Sequence, residues 1–168
     1  MQRFFLLLCA SFLLQGWAHA QETKPTYALK QENADIGTNI KKDAVKNSLI
    51  PLDKKYEELS AEQKDIVKSQ YENMPADDEP PFPIDGLGPI YRAIAKAQGK
   101  LAVEGPLTIF VEIGSDGIAN SVSVYQSPNQ QMTMAVATLL MRQKFKPALC
   151  QGQACKMQFP FRIKLSLN

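Results

Sequence analysis

Cys150 and Cys155 are the residues whose type and spacing most directly imply chemistry. A CxxxxC spacing suits one structural disulfide across a small loop, a bridge worth about 2 kcal/mol by loop entropy. It is not the CxxC spacing of thiol oxidoreductases. Two thiols alone make a poor zinc site, and the single histidine, His19, lies at the other end of the chain. The polar residues elsewhere therefore lack the commonest general base and metal ligand. The acids of the C-terminal half are Asp85, Glu104, Glu112 and Asp116, and no two of them are placed as a pair for acid–base work. No GxSxG, P-loop or HExxH pattern occurs. The sequence reads as a protein that is not an enzyme and uses no cofactor, metal or small-molecule substrate.

A second group of residues points to binding. Lys156, Gln158, Pro160, Arg162 and Lys164 alternate with Met157, Phe159, Phe161, Ile163 and Leu165. This is the pattern of a strand with one apolar and one polar side. Its exposed edge is the leading partner-binding candidate, because unpaired backbone groups accept an added strand. Pro160 has no N–H to donate, so it either interrupts that edge or costs a ladder bond, and it equally guards against aggregation. With Arg142, Lys144 and Lys146 the strand also makes a basic face. That face suits an acidic peptide, lipid headgroups or cell-wall polymer, or is simply solvated. The acidic run Asp77-Asp78-Glu79 is a candidate to lie on it and mask it. Phe110 and Tyr125 read as a cross-strand pair or as part of a contact patch. Tyr91 and Arg92 read as surface and packing residues. Met132, Met134 and Met141 recur at helical spacing and read as core rather than as copper ligands.

These residues need elements to hold them. Gly88–Ala97 reads as a helix with Pro89 early and an apolar face of Ile90, Ala93, Ile94 and Ala97, which Gly99 weakens or ends. Leu107, Ile109, Val111 and Ile113 alternate with Thr108, Phe110 and Glu112 in a strand. Gly114-Ser115-Asp116-Gly117 is a turn signal, and Ile118–Gln126 is the second arm of the hairpin. Gln131–Gln143 reads as a helix with a buried stripe of Met134, Ala137, Leu140 and Met141. The order helix, strand, strand, helix, strand gives an α+β fold. In it two helices cover one face of a three-stranded antiparallel sheet.

The chain has 168 residues, 45% of them hydrophobic and 21% charged, with a net charge of +2. That length holds one ordinary domain with extensions. Residues 1–20 read as a signal peptide: Arg3, the apolar run Phe4–Leu14, and Ala18-His19-Ala20 as the cleavage site. The alternative is an uncleaved membrane anchor, although the run is shorter than the roughly 20 residues of a span. Cys9 comes too early for a lipoprotein site. Residues 21–80 hold nine lysines and thirteen acids, whereas residues 81–168 hold nine basic residues and four acids. The change falls at the Pro-rich stretch Asp77–Pro83, which reads as a linker. Residues 21–50 show little periodicity and read as mobile. A short helix is expected after Pro51 with Leu52, Tyr56 and Leu59 on one face. A second is expected from the capping box Ser60-Ala61-Glu62-Gln63, with Ile66, Val67 and Tyr71 on one face. The organisation is thus a signal peptide over 1–20, an acidic, partly disordered segment over 21–80 and a domain over 81–168. Export and a charge close to neutral argue against nucleic acid as a partner.

Four local patterns in order resemble the C-terminal domain of the TonB family. They are Gly105 leading into the strand to Ile113, the Ser115-Asp116-Gly117 turn leading to Val122–Ser127, Phe145-Lys146-Pro147-Ala148, and the alternating last strand. The resemblance covers residues 82–167. It implies a periplasmic protein-interaction module of a Gram-negative cell, whose partner is an envelope protein such as an outer-membrane transporter that adds a strand to a sheet edge. Energy transducers of that family carry an uncleaved inner-membrane helix and a long Pro-rich spacer. Here the N-terminus looks cleavable, and residues 21–80 hold only Pro25, Pro51, Pro75 and Pro80. A soluble periplasmic binder is therefore the first expectation. An inner-membrane-anchored transducer supporting outer-membrane transport and a cell-wall or structural binding protein are the alternatives.

Overall fold

The computed structural model of the chain describes residues 29–31 and 50–167. In chain order its elements are β1 (Leu29–Gln31), a 3-10 turn (Tyr56–Glu58), α1 (Ala61–Lys68), β2 (Phe82–Pro83), α2 (Gly88–Leu101), β3 (Gly105–Ile113), β4 (Ala119–Gln126), α3 (Gln130–Met141), β5 (Phe145–Lys146), β6 (Ala148–Cys150), β7 (Gln153–Cys155) and β8 (Met157–Leu165). The expected signal peptide and the stretch read as mobile lie outside the described residues, apart from β1.

The apolar alternation of β3 makes it the centre of the sheet. It pairs antiparallel with β4 on one side and with β8 on the other. The short strand β1 joins β4 in parallel, so the strand order is β1-β4-β3-β8. Leu107, Ile109, Val111 and Ile113 are fully buried. They form one cluster with Ile90 and Ile94 of α2 and with Met132, Val136, Ala137 and Leu140 of α3. Each such side chain contributes about 1.5–3 kcal/mol when fully buried. The expected three-stranded antiparallel sheet with helices on its apolar side is thus present, within a mixed fold of three α-helices.

Several local expectations need correction. Helix α2 runs through Gly99 and ends at Ala102, which takes the left-handed conformation (φ 49°, ψ 48°). Gly99 sits on an open helix face, where the loss of about 1 kcal/mol relative to alanine is not enough to stop a helix with a buried stripe. Helix α3 is capped by Asn129, whose side chain accepts the Met132 N–H at 3.0 Å. Met132, Thr133, Val136, Ala137 and Leu140 face inward, whereas Met134 is 42% exposed. After Pro51 there is only the 3-10 turn Tyr56–Glu58, bounded by extended backbone at Lys55 and Leu59. Tyr56 and Leu59 are buried and Leu52 is exposed. The Ser60 capping box forms as expected: Ser60 Oγ accepts the Gln63 N–H, and Gln63 Oε1 accepts the Ser60 N–H at 3.0 Å.

The change of composition near residue 80 is not a change of packing. Ile50, Tyr56, Leu59 and Val67 belong to the same buried cluster as β3 and the helices. Residues 50–80 therefore fold onto the body that the sequence places at 81–168. Two glycines shape the other end. Gly117, with φ +77°, packs so closely on the Phe145 carbonyl that a Cβ would collide with it. Gly152 and Gln151 both have positive φ and close the tight hairpin between β6 and β7.

Candidate functional site

The polar side of β8 is not one continuous strip. Lys156 is exposed and pairs with Glu112 at 3.0 Å. Lys164 is exposed and Gln158 half-buried. Pro160 is buried, and Arg162 is only 7% exposed. The Arg162 guanidinium donates to Gln70 Oε1 at 3.4 Å and lies 5.6 Å from the centre of the Phe110 ring. What covers this strand is the chain itself. Just after α1, the Tyr71 hydroxyl donates to the Gln158 carbonyl at 2.9 Å. Tyr71 is buried with Phe110, and Met74 and Met157 pack against the pair.

The chain therefore passes from the helix side of the sheet, where Val67 is buried, around β8 to the opposite face. The cleft left where it passes holds about 10 Å³ and is lined by Val67, Gln70, Tyr71 and Pro160 among others, room for about one water. Backbone groups two residues apart in a strand face the same side. The nitrogen of Pro160 therefore faces outward with the Gln158 carbonyl, and the register with β3 runs unbroken through Phe110 and Pro160. The Tyr71 hydroxyl is held well above the ordinary tyrosine pKa by its burial, with Arg162 pulling the other way.

The acidic run meets the expected basic face at Lys146 rather than along β8. Glu79 pairs with Lys146 at 2.8 Å and bridges to Leu149. Asp78 Oδ1 accepts the Gln151 N–H at 2.8 Å. These contacts tie the run to β5 and to the hairpin of β6 and β7, which carries the Cys150–Cys155 disulfide. Lys146 also stands 4.7 Å above the Tyr56 ring, and Lys64 is 5.3 Å from it. The Tyr56 hydroxyl is buried without a hydrogen-bond partner among the described residues. Burial, followed by the nearby acids Glu79, Asp65 and Glu57, pushes its pKa above the ordinary range.

The outer edge of β4 presents a different surface. β1 lies there opposite Val122–Val124. Asn120, Ser121, Tyr125 and Gln126 are exposed. The Tyr125 and Phe110 rings are 6.0 Å apart, so the two residues do touch across the sheet, and Tyr125 is still 40% exposed. Tyr91 packs on Phe161 at 5.8 Å, and Arg92 is exposed. Among the described residues no three His, Cys, Asp or Glu side chains cluster as a metal site, and no helix is long and apolar enough to cross a membrane. Sequence reasoning missed Gln70, Met74 and β1. Only Tyr71 left a signal, as an apolar residue beyond the end of α1. Comparison of the chain with protein-family models, with curated proteins and with solved structures finds no match.

Proposed function

We propose that this chain is an exported protein-binding module of the cell envelope, built like the C-terminal domain of the TonB family and binding its partner by adding a strand to the sheet. The observation that supports this most is the order α2-β3-β4-α3-β8, with both helices packed on the apolar side of three antiparallel strands. A sheet covered on one face by helices exposes backbone groups only at its edges, and strand addition uses those groups. The exposed candidates at the two ends of β8, Lys156 and Lys164, flank the stretch that Tyr71 and Pro160 close.

The test uses the native cell envelope. A photoreactive residue is placed at Lys164, at Tyr125 and, as a control, at Gly99 on the open face of α2. Expected is a cross-linked envelope protein from one edge position and none from Gly99. No adduct above the Gly99 level at either edge would remove the reading. The intact mass of the same protein in soluble and membrane fractions is expected to begin at Gln21. A full-length species in the inner membrane would favour an anchored transducer instead, and retention by isolated peptidoglycan would favour a cell-wall role.

A further inference from the structure

Strand β1 is three residues long, runs parallel to β4 and sits opposite Val122–Val124. β4 itself runs from Ala119 to Gln126. Among the described residues, nothing but β1 pairs with its outer edge, so Ala119–Ser121 and Tyr125–Gln126 have no partner strand there. β1 is thus held on β4 by a short ladder. A ladder of so few bonds barely offsets the entropy of ordering the residues that make it, and parallel pairing is slightly weaker than antiparallel. The opposite edge of the sheet is closed at its centre by Tyr71 and by the outward nitrogen of Pro160.

From this we infer that the outer edge of β4 is a strand-acceptor site for an extended peptide segment of no net charge running parallel to β4, and that β1 is its resident competitor. This rests on the reading of the domain as a strand-binding module and names the edge. The chemistry follows from the residues present. β4 reads Ala-Asn-Ser-Val-Ser-Val-Tyr-Gln and carries no charge. Recognition is therefore by main-chain pairing, by amide and hydroxyl groups, and by the exposed ring of Tyr125, which Phe110 backs at 6.0 Å. Such binding does not weaken with salt, whereas binding to the cations at the ends of β8 does. A segment that pairs along the whole of β4 makes more ladder bonds than β1 and displaces it.

The occupant already seen on the edge supplies the probe: a synthetic peptide of residues 26–33 added to the full chain. In the Lys30→Pro variant the ladder of β1 loses the backbone N–H at that position. The outward amides of Val122–Val124 are then expected to exchange with deuterium faster than in the unaltered chain. The added peptide is expected to restore their protection and to bind the variant about tenfold more tightly than the unaltered chain. Tenfold is the affinity lost by a site that is free one-tenth of the time. The affinity is expected to be the same at low and high salt. Lys30→Ala, which keeps the amide, is expected to behave as the unaltered chain, with the same thermal midpoint for all three. Equal exchange in the proline variant and the unaltered chain would overturn the proposal. So would binding that falls with salt. A peptide that protects β8 instead would overturn this site and leave the module reading standing, whereas an envelope with no cross-linked partner removes the module reading whatever the peptide does.

Discussion

Replacing Tyr71 or Tyr56 by phenylalanine removes the same atom from two buried rings and is expected to move stability in opposite directions. The Tyr71 hydroxyl donates to the Gln158 carbonyl at 2.9 Å. Its removal leaves that carbonyl, at the covered edge of β8, without its partner, a loss of about 1–2 kcal/mol. The Tyr56 hydroxyl is buried with no partner among the described residues. Its removal relieves a desolvation cost of about 1–3 kcal/mol, while the ring keeps its packing on Phe82 at 5.9 Å. For a domain of this size 1 kcal/mol shifts Tm by about 2–4 °C. Urea melts at pH 7 read both changes directly, with an unchanged slope as the check on two-state behaviour. A loss of more than about 0.5 kcal/mol in Tyr56→Phe would refute the reasoning, because it would mean that the hydroxyl has a partner in solution. Both hydroxyls titrate above the ordinary tyrosine value. Above pH ~10 the unfolded chain releases protons that the native chain still holds, so the stabilisation is complete below pH ~10 and falls as pH rises, by about 1.4 kcal/mol per pH unit for each tyrosine. Subtracting each variant from the unaltered chain cancels the lysines and isolates that slope.

Further outcomes are expected elsewhere. Replacing Cys150 and Cys155 together by serine should cost about 2 kcal/mol in a urea melt, and reducing the unaltered chain should add about 2 Da to its intact mass. Arg162→Ala should destabilise by about 2 kcal/mol or more, because Arg162 is 7% exposed and bonded to Gln70, whereas Lys164→Ala should stay within about 0.5 kcal/mol. Equal effects would show that the two cations share one environment. Ala102→Gly should stabilise by up to about 1 kcal/mol, since Ala102 sits at φ 49° in a conformation natural to glycine. Gly117→Ala should destabilise by more than 2 kcal/mol on the order of a forced backbone shift, because its Cβ would strike the Phe145 carbonyl.

Strands β3 and β8 are legible in the sequence because burial of one whole face imposes a strict alternation on it. The helices are legible as elements but less so in their facing. α3 reads Gln-Gln-Met-Thr-Met-Ala-Val-Ala-Thr-Leu-Leu-Met, apolar on most sides, so the period alone admits more than one stripe. Packing against β3 and α2 selects the stripe through Met132, Val136 and Leu140. The burial of Arg162 and Phe110 left no trace in the alternation. On that face the covering residues, Gln70, Tyr71 and Met74, come from a segment whose charge and sparse apolar content look like a solvated arm. A few well-placed side chains are enough to close a sheet face, and a few side chains do not make a period. The disulfide is legible in the count and spacing of the cysteines, and Cys150 and Cys155 form it with Cα atoms 5.8 Å apart, whereas the β6–β7 hairpin around it left no alternation to read.

The contact between Tyr71 and Gln158 joins residues 87 positions apart, and it sets an order of events during synthesis. A chain made from its N-terminus completes Tyr56, Val67 and Tyr71 long before β8 exists to receive them. β8 is also the outer wall on which residues 50–71 close, so a ribosome-bound chain that has not completed β8 keeps that segment unseated and the Phe159–Phe161 side of the core open. Long-range closure of this kind slows folding and leaves residues 50–71 unseated until β8 has left the ribosome. Loss of β8 is therefore felt by the whole body at once rather than by one edge of it.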